Sequence, residues 1–145
     1  MSCVLRAHGE SFQVREFLEK SSLQPDTVYE KGDPIVTSKQ NGSRQPSSGF
    51  TVFVSQAGFS DLEGQIREAT SFLDEYEDEL RRLGSFAGVE GMSLDFGVQW
   101  REASVQTDVF PADLLWRAGA LDIWLAVTHY FIAEPNEDAG TADKN

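Results

Sequence analysis

Apolar and polar positions alternate first along residues 2–8. Cys3, Leu5 and Ala7 fall on one side and Val4, Arg6 and His8 on the other, the two-residue period of a half-buried strand. Gly9, Glu10 and Ser11 break that period, and Ser11 is placed as an N-cap. Val14, Phe17 and Leu18 then recur at i, i+3, i+4, which predicts a short helix ending near Ser21. Between residues 24 and 49 apolar content falls away. Pro25, Gly32-Asp33-Pro34, Asn41-Gly42 and Pro46 punctuate a stretch that reads mostly as loop, with residues 33–49 its long unbroken part. Ile35 and Val36 mark a short strand inside it. Residues 50–55 are apolar on nearly both sides, as in a central strand.

The clearest pattern follows. Ser60 and Glu63 have the spacing of a capping box, and Leu62, Ile66, Ala69, Leu73, Tyr76, Leu80 and Leu83 recur at intervals of 4, 3, 4, 3, 4 and 3. One long helix over 60–84 is expected, with Leu73 in the core, Arg81 and Arg82 in its last turn and Gly84 just beyond. Alternation resumes at Leu94, Phe96 and Val98 and again at Ala103, Val105, Thr107 and Val109, as a hairpin or one long bent strand. Pro111 suits the first turn of a helix closed by Gly119. A last strand covers 121–131, and residues 133–145 read as a disordered acidic tail.

The order is strand, helix, loop, strand, helix, one or two strands, helix, strand. It predicts a single α+β domain over 1–132: a ferredoxin-like sandwich with one mixed or antiparallel sheet and two or three helices on one face. Right-handed crossovers would set the first two main strands parallel.

Charge narrows the function classes. The 145 residues hold 24 Asp and Glu against 12 Lys and Arg, a formal net charge of -12. Nucleic acid and anionic membrane surfaces are held by clustered cations, so neither is an expected partner. No apolar run is long enough to span a bilayer, and no secretory leader is visible at the amino terminus. Cys3 is the only cysteine, which excludes an internal disulfide and fits a cytoplasmic protein.

Candidate chemistry is sparse. His8 and His129 are the only histidines, and antiparallel first and last strands would put them at opposite ends of the sheet. There is no Gly-x-Ser-x-Gly elbow, dinucleotide fingerprint or Walker motif, so neither enzyme nor cofactor is expected. Asn41-Gly42-Ser43 fits a glycosylation acceptor that a cytoplasmic chain would not use. Lys31, Lys39 and Arg44 make the loop 31–44 the most basic region, suited to a small anionic ligand with Trp100 or Trp124 lining the pocket. Against that stands the acidic run Asp74, Glu75, Glu77, Asp78 and Glu79. Its plain reading is a solvated helix face with Glu77–Arg81 and Asp78–Arg82 pairs. Yet residues 60–84 carry eight acids and three arginines, and the tail from Ala133 four acids and one lysine, so the charge is concentrated. A helix of about 23 residues is roughly 35 Å long. Strands of seven or eight residues span only about 25 Å. The acidic end should therefore overhang the sheet, leaving Tyr76, Leu80 and Leu83 to be covered by another helix of the chain or by a second copy in a homodimer.

Several segments together resemble the bacterial family catalogued as domain of unknown function 4279. They are Pro25-Asp26, Lys31-Gly32-Asp33, the strand Gly49-Phe50-Thr51-Val52, the helix start Asp61-Leu62-Glu63-Gly64-Gln65-Ile66, and the closing run from Pro111-Ala112-Asp113-Leu114-Leu115 through Gly119 and Leu121-Asp122-Ile123 to Tyr130. Order and spacing carry the resemblance, and Phe50 stands where the family often has Trp. The resemblance implies one compact α+β domain and brings no activity, cofactor or site residue with it.

The expectation is a non-catalytic interaction domain that meets a basic protein through its acidic helix, an immunity-type antidote to a nuclease-like toxin being the concrete form. A small-ligand domain using Lys31, Lys39 and Arg44 is the alternative.

Overall fold

The computed structural model describes residues 2–35, 42–102 and 104–131. Along them run β1 (Cys3–Gly9), α1 (Val14–Glu19), β2 (Thr27–Tyr29), β3 (Ser48–Phe53), α2 (Leu62–Glu75), α3 (Glu77–Ser85), β4 (Gly91–Gln99), α4 (Ala112–Ala120) and β5 (Ile123–Tyr130). The strands form one mixed sheet in the order β2-β3-β1-β4-β5. β1 lies in the middle, antiparallel to β3 (Leu5 opposite Val52) and to β4 (Leu5 opposite Leu94). β4 and β5 are parallel, with Leu94 opposite Leu125, and α4 connects them.

The α+β class is as the sequence predicts, but the pairing is not. β1 and β3 were expected parallel and are antiparallel. The reason is β2, which the turn-rich stretch 24–49 conceals. The chain leaving α1 does return parallel to β1, but as β2; the antiparallel β2–β3 pair then inserts β3 between them. The first and last strands, neighbours in a ferredoxin-like order, are separated here by β4.

The region after β4 also differs. Residues 104–109 form no strand, because both sides of β4 are already taken by β1 and β5. In the long loop, Ile35 is outside any strand and a lone bridge joins Pro34 to Arg44, while Val36 lies outside the described residues. So does the predicted tail, 133–145.

Side chains of one strand parity make the core. Cys3, Leu5, Phe50, Met92, Leu94, Phe96 and Ile123 are buried beneath Phe17, Ala69, Leu73, Leu80, Leu83 and Leu114 of the helices. The opposite parity, including Arg6, His8, Thr51, Asp95 and Trp124, faces away from the helices.

The long helix is two. α2 begins at the N-cap Asp61, whose Oδ1 accepts from the Gly64 amide at 2.9 Å, rather than at Ser60. Helical bonds continue across Tyr76, from the Tyr76 amide to Phe72 O and from the Leu80 amide to Tyr76 O. Tyr76 itself sits at φ -106°, ψ 20°, outside helical values, and divides the run into α2 and α3. The overhang is therefore absent. Leu80 and Leu83 are fully buried, and Leu73 nearly so. Their cover includes α1: Arg82 Nη2 donates to Phe17 O at 3.0 Å, and its guanidinium lies 4.0 Å from the Phe17 ring centre. Phe12, Phe17, Phe50 and Phe86 close this corner, with neighbouring centroids 5.3–6.2 Å apart. A homodimer seam along 60–84 has lost its apolar stripe to the chain's own core.

Candidate functional site

The α2–α3 stripe is buried, so its acidic side chains point outward, and the structure sorts them by partner. Asp74 is ion-paired with Arg117 of α4, which also binds Asp113 at 3.0 Å. Glu77 pairs with Arg81 at 2.8 Å, as its i,i+4 spacing predicts. Arg82 pairs with Glu79 at 3.0 Å instead of the expected Asp78. The Arg82 bond, then the Ser21 hydroxyl and Ser22 amide, hold the Glu79 carboxyl below the usual range. Glu79 thereby fastens α3 to the chain following α1. Glu75 and Asp78 are exposed and make no ion pair with a described residue.

Glu75 also borders an open groove of about 580 Å³ between α2 and the end of β3. Leu23, Val52, Val54, Phe72 and Tyr76 supply its apolar lining, and Asp26, Glu68 and Glu75 its carboxylates, against the single cation Arg67. Glu68, Phe72, Glu75 and Tyr76 share one helix face by their spacing of 4, 3 and 1. The rings of Phe72 and Tyr76 lie 4.8 Å apart. The Ser55 hydroxyl, followed by the Gln56 amide at 2.8 Å, keeps Glu68 ionised below the ordinary carboxylate range. Asp26 Oδ2 accepts from the Phe53 amide at 2.5 Å. These carboxylates are fixed before any partner arrives. Sequence reasoning missed both. Glu68 was signalled by its seven-residue interval from Glu75; Asp26 had no signal, because only the β2–β3 pairing brings it there.

The basic loop does not gather into a cradle among the described residues. Lys31 Nζ is bound to Glu10 at 2.7 Å, which lowers the Glu10 pKa, and Arg44 Nη1 donates to Gly32 O at 3.4 Å. Lys39 lies outside the described residues. Trp124 belongs to β5 and Trp100 follows β4, whereas the loop joins β2 to β3 at the other edge of the sheet. The described part of the loop therefore lies at the edge of the sheet opposite β5 and its Trp124.

The histidines are apart, as their strands predict. His8 is on the outer face of β1; His129, on β5, has Nε2 3.9 Å from Asp108 and its ring against Trp100. Among the described residues no three His, Cys, Asp or Glu side chains converge to hold a metal ion, and no helix is long and apolar enough to cross a membrane. The Cys3 thiol is pushed up to about 12 by burial, with the Asp95 carboxylate adding to the shift, so it is a poor nucleophile.

No protein-family model, curated protein or solved structure matches this chain.

Proposed function

We propose that this protein is a non-catalytic interaction domain that receives a basic segment of a partner protein on the acidic side of α2 and α3. An immunity-type role against a nucleic-acid-cleaving toxin is its most concrete form, since such a target must itself carry a cationic surface. We assign the chain, as part of the same proposal, to the family catalogued as domain of unknown function 4279, on the order and spacing of its segments.

One observation carries the reading: Glu75, which like Asp78 makes no ion pair with a described residue, borders a groove that also holds the fixed carboxylates Asp26 and Glu68 against the single cation Arg67. A Lys or Arg side chain entering there would lay its methylenes on Phe72 and Tyr76 and its charge between Glu68 and Glu75. The other acids of the run are already satisfied internally, so Glu75 and Asp78 are the ones left for a partner. A small anion at the loop 31–44 would instead have to displace Glu10 from Lys31.

The test is capture from the source lysate at low salt, followed by a salt step and identification of what is released. A stoichiometric basic protein is expected. Its association rate should fall about tenfold or more for the double variant Glu75→Lys/Asp78→Lys, with a shallower salt dependence, because charges at the edge of a contact act mainly on encounter. The variant Glu90→Lys, away from the groove, should bind as the wild type. Equal capture by all three chains would sink the reading.

A further inference from the structure

We infer that the outer face of the sheet is a self-association surface, on which a second copy of this chain packs face to face. All four helices lie on the other side, so no helix covers this face; what lies on it is the Phe59 ring, over Gly97 and 4.8 Å from the Tyr130 ring, which adds an apolar element at the β4–β5 end. Its chemistry differs from that of the rest of the molecule. Of the 24 acids in the chain, Asp95 is the only one at an outward position of the described strands. It is neutralised there: Arg6 Nη1 donates to Asp95 Oδ2 at 2.7 Å, and Thr128 Oγ1 donates to Oδ1 at 2.7 Å. A chain of net charge -12 repels its own copies almost everywhere, but two of these faces meet without that repulsion.

The face is also shaped for contact. Gly49 and Gly91 flank His8 on the neighbouring strands. A Cβ at Gly91 would lie 3.0 Å from the His8 ring, and one at Gly49 would lie 2.6 Å from the Tyr29 hydroxyl. Both rings therefore lie down across the sheet instead of standing up from it. At the β5 edge Trp124 is 73 % exposed, an apolar area that water covers at a cost. The strands themselves bear no Lys or Glu on this side, the side chains that ordinarily keep a bare sheet solvated.

Size sets the strength. Five strands about 4.8 Å apart, from the short β2 to the longer β4 and averaging about 23 Å, give a footprint of roughly 550 Å² per copy, the Phe59 ring included. Two copies bury roughly 1,100 Å², just above the ~1,000 Å² that separates specific contacts from incidental ones. A two-fold axis near β1, the middle strand, sets the Arg6–Asp95 pair of one copy against the same pair of the other in the opposite sense. The outcome is a weak, concentration-dependent dimer with both acidic helical layers turned outward.

Sedimentation equilibrium on the full chain, from about 1 µM to about 500 µM, tests this. The wild type should pass from monomer to dimer within that range. Trp124→Arg at the rim and Thr51→Lys near the middle should each remain monomeric throughout, with an unchanged far-ultraviolet circular dichroism spectrum. A wild type that stays monomeric overturns the inference. So does a dimer that Thr51→Lys leaves intact, which would place the contact at the β5 edge or elsewhere. A chain ending at Phe131 that dimerises when the full chain does not would make the tail the occupant, and overturns it too.

Discussion

Leu80 is where a straight overhanging helix and the observed bend disagree most, so Leu80→Ala is the sharpest test of the architecture. The side chain is fully buried, in the core cluster that also holds Phe17 and Leu83. The substitution removes three carbons, and at about 0.8 kcal/mol per buried methylene the transfer part is about 2.4 kcal/mol. A residual void of about 60 Å³, at about 24 cal/mol per Å³, adds about 1.4 kcal/mol. The expected loss is therefore about 2.5–4 kcal/mol, the lower figure applying if α1 and α3 close over the gap. Urea unfolding followed by circular dichroism reads it directly. With a slope of about 2 kcal/mol per molar, the midpoint should fall by about 1–2 M at unchanged slope. On an overhanging helix the same leucine would be solvated, and its removal would change stability by less than about 0.5 kcal/mol. That small a change would refute the packing of α3 on α1.

Two further expectations concern titrating groups. The Glu79 carboxyl is held below its ordinary pKa in the folded state, first by Arg82, so its contribution is present above the unfolded-state value of about 4.3 and is lost as pH falls through the folded value. Wild type should thus be more stable than Glu79→Gln near neutral pH, and the gap should close below about pH 4; a gap independent of pH would refute the assignment. The Cys3 thiol, buried and pushed up to about 12, should resist iodoacetamide in the native protein and react once urea exposes it. Native labelling at the rate of a free thiol would place β1 at the surface.

Alternation made the strands legible where one face is buried: β1, the core of β3, β4 and β5 are all visible as two-residue periods. β2 was not. Its three residues, Thr27, Val28 and Tyr29, are too few to show a period, and they stand among turn residues. That small omission had a large consequence, since missing one strand reverses the direction of the next. Residues 104–109 failed the other way. Val105 and Val109 alternate with polar neighbours as in a strand, yet both are exposed, because alternation records which side chains share a side and not whether a pairing edge is free.

The acidic site was half legible, and the Tyr76 bend explains the missing half. Sharp changes of helix direction usually announce themselves with proline, or with glycine and serine pairs. Residues 72–80 contain none of these, so the unbroken stripe from Leu62 to Leu83 reads as one straight helix. Past Tyr76, α3 lies against Phe17, and Arg82 bonds Glu79 and the Phe17 carbonyl instead of Asp78. Leu80 is buried with Ala69, Leu73 and Leu83, so these positions of the stripe are taken up by the chain's own core. Asp78 makes no ion pair with a described residue, its expected cation Arg82 being bound to Glu79 and Phe17. The most prominent run of charge in the sequence is thus divided by the fold: Asp74 ties α2 to α4, Glu79 ties α3 to the chain after α1, Glu77 is paired within α3, and Glu75 and Asp78 make no ion pair with a described residue.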